Sequence, residues 1–263
     1  MAVSRNRFWA VLGLAALLGL CACGETPPQK PADEQTNSTK EKNIFERFRS
    51  SNVDPLVEQG LRLYARQDYA GALAQFRQAA DAGDVGGMFW LGLMYEQGIG
   101  VEQDYRRAAQ FYRFAMMKNL AIAKYKLAEM YDFGRGVPQD DAEALKLYRL
   151  AAAQGFTPAM GRLGVKYKAG RGVGQDFRQA AEWLTRGAEG GDPEAQRHLA
   201  DLCSNGQGLP QDLVQAHMWY SLAAAGGNRE APRLRDLLAP LMTPQQIDEA
   251  QRRAWSFQPR RDN

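Results

Sequence analysis

Apolar positions recur along this chain with the period of an α-helix, and the whole pattern repeats every 36 residues. In AIAKYKLAEMYDFG, residues 121–134, Ala123, Leu127 and Tyr131 fall four apart and share one helical stripe. The same stripe is Gly87, Leu91, Tyr95 one step earlier, Ala159, Leu163, Tyr167 one step later, and then Ala195, Leu199, Cys203. A small residue follows each leucine (Gly92, Ala128, Gly164, Ala200), a column read as the close approach of two helix backbones. A second amphipathic segment follows in every unit. It is built on Ala108, Phe111, Tyr112; Ala144, Leu147, Tyr148; Ala180, Trp183, Leu184; and Ala216, Trp219, Tyr220. The pattern predicts a unit of helix, tight turn, helix.

The turn is Gly-x-Gly: Gly98 and Gly100, Gly134 and Gly136, Gly170 and Gly172, Gly206 and Gly208. The first glycine of each pair stands where the helix ends, because glycine enters the left-handed conformation without a Cβ clash. Asp104, Asp140, Asp176 and Asp212 then open the second helix as N-caps that accept orphan backbone N–H groups. Glu143, Gln179 and Gln215, three residues on, predict a capping box in three copies. Arg107 takes that place in the first copy and predicts a weaker cap there. The second helices end at Asn119, Gly155, Gly191 and Gly227, and asparagine is among the few other residues that enter the left-handed region.

A chain built of one repeated unit is a stack, and stacks hold partners more often than they do chemistry. One irregular copy comes first: Asp68, Ala79 and Gly83 stand 36 residues before Asp104, Ala115 and Asn119. Its first helix, near residues 54–66, reaches its cap through ARQD and lacks the Gly-x-Gly turn. After the last full copy, NREAPRLRDLLAPL reads as another first helix. TPQQIDEAQRRAWSF then opens with Thr243 as N-cap, Pro244 at the first helical position and Gln246 as box partner. Gln251, Arg252 and Arg253 give this last helix the polar outer face that a terminal repeat needs. The expected segmentation is a leader at 1–22, a tether at 23–52, the irregular copy at 53–83, four full copies at 84–227, capping helices at 228–257 and a tail at 258–263.

These columns resemble the Sel1-like repeat family, a relative of the tetratricopeptide repeat. The matching motif is A-x-x-x-L-G/A-x-x-Y-x-x-G-x-G-V-x-x-D-x-x-x-A followed by W/Y-x-x-A-A-x-x-G, over roughly residues 54–255. The first copy is closer to a plain tetratricopeptide unit, and Cys203 replaces the usual tyrosine in the last. The resemblance implies an all-α, right-handed α-solenoid of helix-turn-helix repeats with a concave, partner-binding surface. It also implies an adaptor or scaffold rather than an enzyme.

The N-terminus, MAVSRNRFWAVLGLAALLGLCACG, places Arg5 and Arg7 ahead of an apolar run of 15 residues, Phe8 to Ala22. A spanning helix needs ~20 residues, so the run reads as a signal peptide. Its end, Leu20-Cys21-Ala22-Cys23, resembles a bacterial lipobox, which implies cleavage before Cys23 and acylation of that residue. The alternative is ordinary cleavage near Ala22 and a soluble periplasmic protein. Gly24 follows rather than an aspartate, which by the enterobacterial sorting rule implies the outer membrane, with the repeats facing the periplasm. Residues 25–52 are polar with early prolines and read as a disordered tether. Such a tether spans ~30 Å. Ile44, Phe45 and Phe48 alternatively begin a short docking helix.

Composition narrows the function further. The chain has 33 basic and 30 acidic residues with the signs interleaved, which argues against nucleic acid as a partner. Of three cysteines, Cys21 leaves with the leader and Cys23 would carry lipid, so Cys203 stands alone and reads as a small buried hydrophobe without a disulfide partner. Cysteine-rich relatives of the family, some linked to penicillin binding, carry a pair in each repeat; this chain lacks those pairs. His198 and His217 lie on different helices with no cysteine or carboxylate at metal-ligand spacing beside them. No metal, cofactor or catalytic group is expected, and no G-x-S-x-G, Walker or metalloprotease signature is present. The Gly-x-Gly turns follow helices, so they are not dinucleotide loops.

The candidate site is the face of each first helix about half a turn from the leucine stripe. It carries Phe89, Trp90 and Leu93; Tyr125, Lys126, Glu129 and Phe133; Arg162; and Arg197 with His198. In tetratricopeptide-like stacks this helix lines the concave groove. Trp90, Leu93, Tyr125 and Phe133 are apolar where the pattern does not demand it, as interface anchors are. The competing reading packs Phe89, Trp90 and Leu93 on the irregular first copy. The expected function is a non-enzymatic scaffold lipoprotein of the bacterial envelope that holds a protein or peptide partner. A hydrolase acting on peptidoglycan or β-lactams and a surface-exposed binder of host proteins are the alternatives.

Overall fold

The computed structural model describes residues 54–259, and among them the regular elements are all helical. They are α1 (Pro55–Ala65), α2 (Tyr69–Asp81), α3 (Val85–Gln97), α4 (Tyr105–Met117), α5 (Ala121–Phe133), α6 (Asp141–Ala152), α7 (Thr157–Ala169), α8 (Phe177–Glu189), α9 (Pro193–Asn205), α10 (Leu213–Ala225), α11 (Ala231–Leu238) and α12 (Pro244–Ser256). A 3-10 turn, Ala239–Leu241, joins the last two. The leader, Cys23, the tether with Ile44, Phe45 and Phe48, and residues 260–263 of the tail lie outside the described residues.

Each helix packs on its neighbours in chain order, so the pairs form an α-solenoid. The leucine column is the core of the stack: Leu91, Leu127, Leu163 and Leu199 are 0–3% exposed. Each such burial stabilises by about 1.5–3 kcal/mol. Within the repeats, the first helices α1 and α3, and α7 and α9, meet across the helix between them, whereas successive second helices from α2 to α10 do so less. The first helices therefore line the inner side and the second helices the outer side.

The turns explain why the period is held so strictly. Gly98, Gly134, Gly170 and Gly206 end their helices at φ between +65° and +70°. Gly100, Gly136, Gly172 and Gly208 also have positive φ, but a second constraint acts on them. A Cβ on Gly136, Gly172 or Gly208 would lie 2.2, 2.3 or 2.0 Å from the carbonyl oxygen of Tyr105, Asp141 or Phe177. Each of those residues opens the outer helix of the preceding pair. The second glycine is thus the point where one unit presses on the backbone of the unit before it. Asn119 joins the left-handed column as expected, at φ +68°.

Four local expectations are corrected. Asp104, Asp140 and Asp176 each accept two N–H groups and Asp212 one, but none of the four caps is a reciprocal box. The cap's own N–H is already taken, donating to the carbonyl of Tyr95, Tyr131, Tyr167 or Cys203 at 2.9–3.0 Å. Glu143 and Gln179 turn to Lys146 and Glu182 instead, and only Thr243 with Gln246 closes a box. Arg107 does not weaken its cap: Asp104 accepts from the N–H groups of Arg106 and Arg107 at 2.9 and 3.0 Å, and the Arg107 guanidinium lies 3.3 Å from it. The small-residue column is not uniformly a backbone contact, since the atoms closest to a Cβ on Gly92 belong to the Tyr112 ring. The helix read in residues 228–241 is also short: α11 stops at Leu238, ahead of Pro240 in the 3-10 turn.

Candidate functional site

The inner face is not what the apolar anchors suggested. Phe89, Trp90 and Leu93 are 0–1% exposed and belong to the core. Trp90 stacks on Phe76 of α2 with ring centroids 5.6 Å apart and meets Tyr64 of α1 at 5.8 Å. Phe89 meets Tyr112 at 5.8 Å. The irregular opening unit brings aromatic side chains to α3, and the first full copy answers them with its own, so these three residues present nothing to a partner. Tyr125 is half-buried against Tyr148 and Phe156. Phe133 is 48% exposed, with the Arg135 guanidinium 5.2 Å above its ring.

The polar candidates do come together, in two ionic clusters. In the first, Lys126 of α5 lies 3.3 Å from Glu96 of α3 and 3.5 Å from Glu129 of its own helix. Arg162 of α7 reaches Glu129 at 3.3 Å, and the Tyr125 hydroxyl donates to Glu129 at 2.8 Å. Tyr112 of α4 donates to Glu96 from behind. Burial disfavours the charged form of Lys126, but Glu129 and Glu96 outweigh it and hold its pKa above the ordinary lysine value. Arg162 is likewise raised, with burial overcome by Tyr125 and Glu129. Burial and then Glu129 push the Tyr125 hydroxyl well up, so it stays a proton donor.

Asp201 of α9 is the hub of the second cluster. It accepts from Lys168 of α7 at 2.9 Å, Arg197 at 3.3 Å and the Tyr220 hydroxyl of α10 at 2.8 Å. Burial alone would raise its pKa; hydrogen bonds from His198, Lys168 and Tyr220 win and hold the carboxyl well below the usual range. Arg197 also lies 3.6 Å from Glu230. Its guanidinium meets His198 Nε2 at 2.6 Å, while His198 Nδ1 is 3.5 Å from Asp201. A guanidinium can only donate, so Nε2 carries the lone pair and Nδ1 the proton. That neutral tautomer agrees with a His198 pKa lowered by burial, which the hydrogen bond to Asp201 only partly offsets.

Deeper in the stack, Lys166 of α7 is 3% exposed and bonds to Asp132 at 2.6 Å and Asp141 at 2.7 Å. Arg171 closes the group at 3.2 and 3.0 Å from the same carboxylates. Cys203 is buried, and burial pushes its thiol up to about 12, so it is no nucleophile near neutral pH. Among the described residues no group of histidine, cysteine or carboxylate side chains is placed to hold a metal ion, and no helix is long and apolar enough to cross a membrane.

A family model for the Sel1 repeat matches residues 57–84, 85–119, 121–156, 157–192 and 193–228, well over half of the chain. The chain belongs to the Sel1 repeat family. The first match takes in the irregular opening copy as well. Among solved structures, a Sel1 repeat protein from Oxalobacter formigenes is 30% identical at a TM-score of 0.66, covering 74% of this chain and 84% of that one. The protein c5321, a protective antigen present in uropathogenic Escherichia coli strains and displaying an SLR fold, is 29% identical at a TM-score of 0.51. The match covers 84% of this chain and 56% of that one, so the chain spans about half of c5321. Among curated proteins, the ERAD-associated E3 ubiquitin-protein ligase component HRD3 of Candida glabrata is 29% identical over 89 residues, 34% of this chain and only 10% of HRD3. Sel1 repeat proteins generally mediate protein–protein interaction and are typically scaffolds without catalysis.

Laying the Sel1 repeats over one another exposes the residues that single-column reading missed. Glu96, Asp132, Lys168 and Ser204 occupy one column, and Tyr112, Tyr148, Leu184 and Tyr220 another. Where the tyrosine becomes Leu184, the acid it would bond becomes Lys168, which turns to Asp201 instead. Lys166 replaces Met94, Met130 and Leu202 in a buried apolar column, and Asp141 replaces Tyr105, Phe177 and Leu213 in another; the two departures meet as an ion pair. Arg77, Arg113 and Arg149 donate to Tyr95, Tyr131 and Tyr167 one unit on, at 3.4, 3.0 and 2.6 Å. In the last unit both members change together, to Thr185 and Cys203.

Proposed function

We propose that this chain is a non-enzymatic adaptor that holds a protein or peptide partner against the inner face of α5, α7 and α9. The observation that supports this is the row of part-exposed charges along that face. Lys126, Glu129, Arg162, Arg197 and His198 stand on three successive inner helices, each already oriented by a neighbour. Phe133 supplies the exposed aromatic at one end. A partner carrying both signs of charge would exchange its own groups for these pre-aimed pairs, which favours specificity over raw affinity. We further propose that acylated Cys23 tethers the repeats to the bacterial outer membrane, facing the periplasm; the lipobox-like Leu20–Cys23 segment and Gly24 support that reading.

A photo-crosslinking residue at Arg162 or Arg197 in living cells should capture one protein, and one at the exposed outer residue Glu182 should not. Equal capture from all three positions removes the inner face as the binding surface. Labelled palmitate should enter the wild-type chain and not Cys23→Ala; label retained in the variant rules out that anchor. A second reading, display on the cell surface, draws on c5321 being described as a protective antigen. Protease shaving of intact cells separates the two, since only surface display leaves the repeats open to cleavage.

A further inference from the structure

We propose that the outer face of α4 and α6 is a docking surface for an anionic lipid bilayer, independent of the inner-face site. Three large apolar side chains stand out from these helices: Phe114 is 53% exposed, Met117 75% and Leu150 45%. Phe114 and Leu150 are 36 residues apart and hold the same position in adjacent outer helices, and Met117 is one turn along from Phe114. Phe114 and Met117 thus share one face of α4, and Leu150 repeats the Phe114 position one unit on.

The charged residues of α4 itself are all cationic. Arg106, Arg113 and Lys118 of the α4 segment and Arg149 of α6 are all exposed. Among the described residues none of the four makes an ion pair; Arg113 and Arg149 donate to tyrosine hydroxyls and lie over rings instead. Helix α4 contains no acidic residue at all. On the exposed stretch of α6, Glu143 is engaged by Lys146 at 3.1 Å. The inner cations, in contrast, each have a carboxylate within 3.5 Å. A cationic rim around protruding aromatic and aliphatic side chains is the chemistry that lies on anionic headgroups and dips into the acyl boundary. The occupant is a bilayer rather than a protein because Met117 and Phe114 are exposed on a helix whose charges are all cationic. A fluid surface accepts projecting groups without a matching pocket.

The test is co-sedimentation of the full chain with vesicles of phosphatidylcholine alone or with 30% phosphatidylglycerol. The N-terminal apolar run, with Arg5 and Arg7 ahead of it, contributes a background that differs between the two vesicle types but is the same for every variant, so the variants are compared on each. The wild type should partition more strongly onto the anionic vesicles, and salt should weaken the difference. Arg106→Gln with Lys118→Gln, two exposed residues without partners, should lower the anionic partition by roughly fivefold per cation. Phe114→Ser with Met117→Ser and Leu150→Ser should lower it at least tenfold while leaving the helical circular dichroism unchanged. Equal partition onto both vesicles, or folded variants that partition like wild type, overturns the proposal. So does a photo-crosslinker at Met117 that captures a protein and no lipid in cells.

Discussion

The inner and outer faces of the stack handle positive charge in opposite ways. On the inner face Lys126, Arg162, Lys168 and Arg197 each meet a carboxylate, and most of these contacts cross from one unit to the next. On the outer face Arg113, Arg149 and Arg186 lie over Tyr131, Tyr167 and Trp183, and among the described residues no carboxylate pairs with them. An ion pair between neighbouring helices fixes their spacing and leaves little net charge. An arginine on a ring is held in place but keeps its full charge. The inner face is therefore a set of oriented groups, and the outer face a source of positive potential.

The strongest test of this contrast lies at its deepest pair. Lys166→Met leaves Asp132 and Asp141 with Arg171 alone and should cost about 3–5 kcal/mol in urea unfolding. Lys166→Met combined with Asp141→Tyr restores the residues of the neighbouring copies and should recover most of that loss. A double variant as unstable as the single would mean that the pair is not an interchangeable unit. Next come the turns. Gly136→Ala forces a Cβ against the Tyr105 carbonyl and should cost at least ~2 kcal/mol, whereas a Cβ at Gly134 comes no closer than 3.3 Å to Gln139, so Gly134→Ala should cost about 1 kcal/mol. Equal losses would show that only φ matters.

Smaller still is the face-to-face comparison. Glu129→Gln removes the negative charge shared by Lys126 and Arg162 and should cost about 2 kcal/mol, against about 0.5–1 kcal/mol for Arg149→Ala on its ring. Thermal melts that reverse this order would sink the contrast. The mildest effect is on pH. Burial lowers the pKa of His198 and of His217, aided at His217 by Arg235. The unfolded chain then binds more protons than the folded one, so stability is flat above about pH 6.5 and falls as the pH drops below it. His217→Leu should flatten part of that slope between pH 7 and 5.5; an unchanged slope would assign it elsewhere.

The fold was legible because its determinants sit in columns that the sequence prints four times: leucine for the core, glycine and aspartate for the turn. Trp90 was misplaced because the rule for which face looks outward came from interior copies. The signal was present in Tyr64, which stands where every other copy has its second glycine and whose ring reaches Trp90. The capping boxes failed because a carbonyl nine residues earlier takes the cap's N–H, a contact that no side-chain pattern reveals. The ionic clusters were half legible. Lys126, Glu129, Arg162, Arg197 and His198 were marked by position, but their partners Glu96 and Lys168 lie in a column that changes sign and reads as noise until its tyrosine partner is set beside it.

The seat that Gly100, Gly136, Gly172 and Gly208 take on the preceding unit has a genetic consequence. A tandem duplication of 36 codons hands the new copy a finished junction on both sides, so the array can lengthen or shorten by whole units without any compensating change. One boundary carries an extra constraint: between α6 and α7, a unit copied from elsewhere in the array would part Lys166 from Asp132 and Asp141 and leave the buried Lys166 and Asp132 without each other. Lineages of this gene should therefore differ in copy number less often there than elsewhere.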